Sequence, residues 1–305
     1  MKFPTITIEG MIISADILDK IETGEIDGQS PKHFGLEGSQ KVKDEIARIW
    51  ADCQDLWQVY SRQMNKIGDT ASGAAETRRY WMLPFLGLLG YDAQTAKAEI
   101  INEKSYAISH RAMNLDGFPV HIMGFNDKLG EKRQDGGPRL SPHSLVQEYI
   151  NITEHLYALV SNGLRLRLLR DNSRLIKQSY IEFDLQAMME ENHYADFAVM
   201  VRLLHATRMP QKLDTGDASW IEKYHQDSLD SGSRIREKLS EAVEKSILLL
   251  GNGFLQHPEN EALRSAIEEK TVTAEQLYQL QLRLIYRLLF LLVIEERQLI
   301  FPRNC

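Results

Sequence analysis

The sequence predicts a mixed α+β fold, with helices flanking one sheet in its first two thirds and an all-helical connector domain after it. Residues 77 to 184 alternate helical and extended patterns, whereas the chain beyond about residue 205 shows helical periodicity only. Between two apolar runs, Asn162-Gly163 offers the pair of residues that tolerate positive φ in a tight hairpin.

The elements follow in order. Residues 1 to 35 read as an irregular arm with a short strand at Thr5 to Ile8. Lys41 to Ile67 reads as a long helix with Val42, Ile46, Ile49, Trp50, Cys53 and Trp57 on one side. Asp69 to Ala75 is a loop of small residues, and Thr77 to Leu89 is a second apolar helix stopped by Gly90 at the usual left-handed cap. Strands are expected at Ser105 to Ser109 and Phe118 to Phe125, turning around Asn114 to Gly117. Residues 126 to 140, with three glycines and a proline, have the composition of a mobile loop.

Leu145, Tyr149, Ile152 and Leu156 recur at helical spacing, with Gln147, Asn151 and Glu154 off that stripe. Tyr157 to Val160 and the arginine-leucine run from 164 to 170 then read as paired strands. The second would bury its leucines and turn most of its guanidinium groups to one exposed side. Farther on, Ser233 to Leu250 is an amphipathic helix with Gly251 as its stop. Thr273-Ala-Glu-Gln276 has the form of a capping box ahead of a final apolar helix. These elements suggest three parts: an arm and helix (1–76), an α/β domain (77–210) and a helical connector (211–305), with the last boundary near Met209-Pro210.

Composition bounds the function. With 43% hydrophobic and 26% charged residues, the 305-residue chain can build a large core. A net charge of -7 argues against a uniformly basic nucleic-acid coat, so DNA contact would need a local patch. One is present: Arg165, Arg167, Arg170, Arg174 and Lys177 stand against Asp171 alone. Cys53 and Cys305 are far apart and lack zinc-ligand neighbours, which points to a reducing cytoplasm as the compartment. No secretory leader pattern opens the chain. The run from Leu284 to Ile300 is interrupted by Arg287, Glu295, Glu296 and Arg297, so a buried helix is expected there and no membrane. No phosphate loop, nucleophile elbow or HExxH pair occurs, and the nine histidines are scattered.

The pattern from 77 to 171 resembles the PD-(D/E)XK nuclease-like domain, on the strength of Leu88-Leu89-Gly90-Tyr91-Asp92, Gln147 and Ser161-Asn162-Gly163. That resemblance implies two strands carrying an Asp and a Glu-x-Lys around a divalent ion. Here those positions read Ser105-Tyr106 and Met123-Gly124-Phe125, and methionine and phenylalanine cannot ligate a hard cation. A degenerate, non-cleaving domain is therefore expected. The alternative is a metal-dependent endonuclease using Asp92, Asp116 or Asp127 in a rearranged site.

A wider resemblance rests on residues 145–186, Tyr194-Ala-Asp-Phe197, Leu249 to Phe254 and residues 282–297, taken in order. These are similar to the N-terminal region of large bacterial adenine-specific DNA methyltransferases of type IIG-like restriction–modification and DISARM-type phage-defence systems. The resemblance implies a methyltransferase domain or other defence-system subunit as partner. S-adenosylmethionine would belong to that following domain, because neither the adenine-cradling tetrapeptide nor a cofactor loop occurs in this chain. DNA contact is expected through Arg165, Arg167, Arg170, Arg174, Lys177 and Gln147. Partner contact is expected through Ile285, Leu288, Leu289 and Leu292. A protein-binding adaptor without DNA contact is the remaining alternative.

Overall fold

A computed structural model of the protein describes residues 2–10, 12–132, 140–171 and 179–296. The fold is α+β, as its sequence predicts, and the chain divides into two units, Met1–Leu229 and Asp230–Cys305.

The first unit is built on a seven-stranded mixed sheet in the order β1-β9-β8-β7-β6-β5-β2. Its strands are β1 (Ile6–Glu9), β2 (Ala93–Thr95), β5 (His110–Ala112), β6 (Phe118–Ile122), β7 (Tyr157–Ser161), β8 (Arg165–Arg170) and β9 (Tyr180–Asp184). A separate two-stranded sheet pairs β3 (Glu99–Ile101) with β4 (Lys104–Tyr106). Only β6 and β7 run parallel within the large sheet, because α5 (Pro142–Ile152) carries the chain across one face between them.

The opposite face is covered by helices. α1 (Ala15–Thr23) and α2 (Val42–Ile67) come first, followed by a continuous helical stretch made of α3 (Ala74–Glu76), a π-turn (Thr77–Met82) and α4 (Leu83–Leu88). α6 (Leu185–Glu190) and α7 (Tyr194–Leu204) complete the layer. Period-two alternation sorts the strands between the two cores. Tyr157, Leu159, Leu166, Leu168, Ile181 and Phe183 join the main core with Trp81, Phe85 and Ile49, whereas Ala158, Val160 and Leu169 pack under Val146 and Ile150 of α5.

Several expectations need correction. Of the strand expected at 105–109 only residues 105 and 106 are extended, in β4 of the small sheet, and the partner of β6 is β5, which begins at His110. The arm and helix of residues 1–76 are not a separate part, since β1 pairs with β9 and Asp196 of α7 accepts hydrogen bonds from Thr5 N–H and Oγ at 2.9 and 2.6 Å. The boundary lies at 229/230, not near Met209-Pro210. Of the hairpin pair, only Gly163 has positive φ, at 84°; Asn162 acts through its Oδ1, which accepts from Leu164 and Arg165 N–H.

The described part of the second unit is helical. α8 (Trp220–Gln256) starts in the first unit and runs past Gly251 without stopping there. α9 (Glu261–Glu268) and α10 (Ala274–Glu296) follow. The capping box forms as its spacing requires: Thr273 Oγ accepts from Gln276 N–H at 3.2 Å and Gln276 Oε1 accepts from Thr273 N–H at 2.9 Å.

Candidate functional site

The arginines of β8 do not form one exposed stripe. Residues 165 and 167 point to the α5 side and residue 170 to the other, because strand neighbours alternate. Each also meets an acid. Arg165 pairs with Asp184 at 2.5 Å and is the most open of the three, with its side chain 45% exposed. Arg167 donates from Nε to Glu182 at 2.5 Å and lies over the Tyr180 ring, 4.3 Å from its centre. Arg170 grips Glu222 of α8 with Nε and Nη2, at 2.9 and 2.8 Å. Arg174 and Lys177 lie outside the described residues.

Register explains the pairing. Arg165 stands opposite Asp184 and Arg167 opposite Glu182 on the antiparallel neighbour, so acids at period two in β9 neutralise bases at period two in β8.

Polar groups continue on α5. Arginine can only donate, so the 3.3 Å contact from Arg167 Nη1 makes His143 Nδ1 an acceptor and leaves the proton on Nε2. That Nε2 is buried without a hydrogen-bond partner. Burial, and the guanidinium beside it, lower the His143 pKa to about 4, so the ring is neutral. One turn on, Gln147 donates to the Arg170 carbonyl at 3.0 Å and to Asn151 at 2.8 Å, while its Oε1 is buried and unpartnered. Gln147 thus braces the end of β8 and does not reach into solvent.

The positions of the nuclease-like pattern are not brought together as the resemblance implies. Ser105 lies in β4, paired with Ile100 in the small sheet. Met123 is buried and continues β6 by donating its N–H to Ser161 O at 2.8 Å. The β5–β6 hairpin instead joins Ser109, whose N–H donates to His121 Nδ1 at 3.2 Å. The acids proposed for a rearranged site serve turns. Asp127 accepts from Ser72 Oγ at 2.8 Å and Gly124 N–H at 2.9 Å, and Asp116, at φ 53°, accepts from Leu213 N–H at 3.1 Å. Asp92 accepts from Gln94 at 3.0 Å. Among the described residues, no group of three or more His, Cys, Asp or Glu side chains is placed to hold a metal ion.

α10 presents the exposed apolar strip that partner contact calls for, although the expectation of a buried helix there is not met. It is not a buried helix: of its apolar residues only Ile285 is buried, Leu289 is half-buried, and Leu280, Leu284, Leu288, Leu291 and Leu292 are exposed. By length and composition alone it is apolar enough to cross a membrane, although Arg283 and Arg287 lie within it. At about 100° per residue the buried seam of Gln281 and Ile285 divides two apolar flanks. One carries Tyr278, Leu282 and Tyr286; the other carries Leu280, Leu284, Leu288 and Leu291.

Sequence reasoning missed Glu182, Asp184 and Glu222 as the acids that hold the β8 arginines, and missed His143. The signal for the first two was present, since they alternate with Ile181 and Phe183 just as the arginines alternate with leucines. No protein-family model, curated protein or solved structure matches this chain.

Proposed function

We propose that this protein is a non-catalytic architectural and DNA-contacting module of an adenine-specific DNA methyltransferase-type restriction–modification or phage-defence system, acting in the cytoplasm. The observation that supports it best is the flank of α10 formed by Leu280, Leu284, Leu288 and Leu291, all exposed. Continuous apolar surface of this kind on a helix marks a docking site. Its partner in this reading is a methyltransferase domain, which alone would bind S-adenosylmethionine. DNA contact falls to Arg165, whose side chain stays nearly half open, and to Arg174 and Lys177 in the segment after β8. Such contacts give weak, sequence-independent and steeply salt-dependent binding.

The test is co-purification with a methyltransferase domain from the same system. Leu284→Glu with Leu288→Glu should abolish capture while leaving helicity unchanged; capture that persists would refute the docking role. Plasmid incubated with magnesium or manganese should remain uncut, and reproducible nicking lost on Asp127→Ala would overturn the non-catalytic assignment.

A further inference from the structure

The second flank of α10 faces a groove of its own. With its amide oriented to satisfy both neighbours, Gln281 donates to Ile247 O at 3.1 Å and accepts from Gly251 N–H at 3.2 Å, which fixes α10 against α8. Gly251 eases that approach, because a Cβ there would stand 3.0 Å from the end of the Gln281 amide. Beside this seam a groove of about 590 Å³ opens, walled by Leu239, Val243, Ile247 and Leu248 of α8 and by Tyr278, Leu282 and Tyr286 of α10.

Its floor is apolar and its rim on α8 carries two charges. Arg236 and Glu244 lie eight residues apart with Ser240 midway, all three lining the groove. Eight residues are two turns or about 12 Å of helix, so the three share one face. A second copy of the helix laid antiparallel across Ser240 would set each Arg236 against the other copy's Glu244. The small serine would leave room for the two backbones at the axis. This is the self-complementarity that a two-fold contact requires, in which one patch serves both partners.

The surface is also of the right size. Leu239, Leu248, Tyr278 and Tyr286 are 48, 60, 46 and 60% exposed. At about 200 Å² for a large side chain these present on the order of 400 Å², and a stable interface of about 800 Å² per partner is roughly three-fifths apolar. We infer that the groove between α8 and α10 binds a second copy of this chain, with Ser240 at the two-fold axis and reciprocal Arg236–Glu244 ion pairs. The inference stands apart from the methyltransferase reading, which uses the opposite flank of α10.

Analytical ultracentrifugation of the full chain over a concentration series tests it, with helicity checked by circular dichroism. Wild type should dimerise. Glu244→Arg and Arg236→Glu should each weaken the dimer by at least about tenfold, because like charges then meet across the axis. The double variant R236E/E244R should restore it, a rescue that neither a folding defect nor a general loss of charge can give. A wild type that stays monomeric, or a dimer indifferent to all three variants, would overturn the inference. So would binding of wild type to phosphatidylcholine vesicles without self-association. Leu284→Glu should leave the dimer intact, so failure of methyltransferase capture and failure of dimerisation are separate results.

Discussion

Arg170 and Glu222 form a two-pronged ion pair that ties the last residue of β8 to the first turn of α8, with the Tyr157 hydroxyl donating to the same carboxylate at 2.7 Å. Burial alone would raise the Glu222 pKa, but hydrogen bonds from Arg170, Tyr157 and Gln226 outweigh it and hold the carboxyl below its ordinary value. Glu222→Ala strands a guanidinium and a phenol in a nearly dry site. We predict a loss of about 3–5 kcal/mol in urea unfolding, and a smaller loss when Arg170→Met is combined with it. A double-variant loss equal to the sum of the two single losses would show that the pair is not coupled.

Stability should fall on acidification. His110 and His143 are both buried, and burial first, then Arg78 and Arg167 respectively, lowers each pKa to about 4. A group depressed on folding takes up its proton more readily in the unfolded chain. The stability is therefore full above the unfolded value of about 6.5 and is lost as pH falls from there towards 4, by up to about 1.4 kcal/mol per pH unit for each ring. Glu222, also depressed, extends the loss to lower pH. Urea midpoints measured at falling pH should show this slope, and His143→Gln should make it shallower.

The arginines of β8 should separate by phenotype. Arg165→Glu should lower DNA affinity about three- to tenfold and flatten its salt dependence, at a smaller cost in stability, because its guanidinium is nearly half exposed. Arg167→Glu faces Glu182 within a mostly buried pair and should cost about 2–4 kcal/mol instead. Anisotropy titrations of a fluorescent duplex beside urea melts would resolve the two. Equal loss of DNA affinity without destabilisation would mean that Arg167 leaves its acid to meet phosphate.

Gly163 should not tolerate a side chain. Its φ is 84°, and a Cβ would stand 2.6 Å from the hydroxyl of Tyr60 in α2 and 2.7 Å from Cγ2 of Thr77, the first residue of the π-turn, both buried. Gly163→Ala is predicted to lower stability by about 2 kcal/mol or more, against the gain of up to about 1 kcal/mol that the same change gives at an unstrained site. Thermal melts decide it.

What was legible in the sequence was mostly local. Helical spacing located α2 and α5, Gly90 marked a left-handed cap, and Thr273 with Gln276 announced the start of α10. Pairing was less legible, because it depends on residues far apart. Nothing near Arg170 reveals that Glu222 will reach it, and Glu182 and Asp184 become partners of β8 only once β8 and β9 lie antiparallel in register. The mid-helix Gly251 misled for the same reason: its role is to admit Gln281 from another helix. The apolar run at the end of the chain was visible as sequence, but its side chains are exposed in the fold, where apolarity alone suggests burial.

The pairing of β1 with β9 also sets an order in time. Glu9 sits opposite Tyr180, so the first strand of this sheet to leave the ribosome has no partner until roughly 170 more residues are made, about 10–35 s at ordinary rates of synthesis. Until then Ile6 and Ile8 form a short, unpaired, strand-ready segment, while the other strands of the sheet can pair in the order in which they are made. β1 is thus translated before the other strands of this sheet and paired after them, so damage to β9 would also unseat β1.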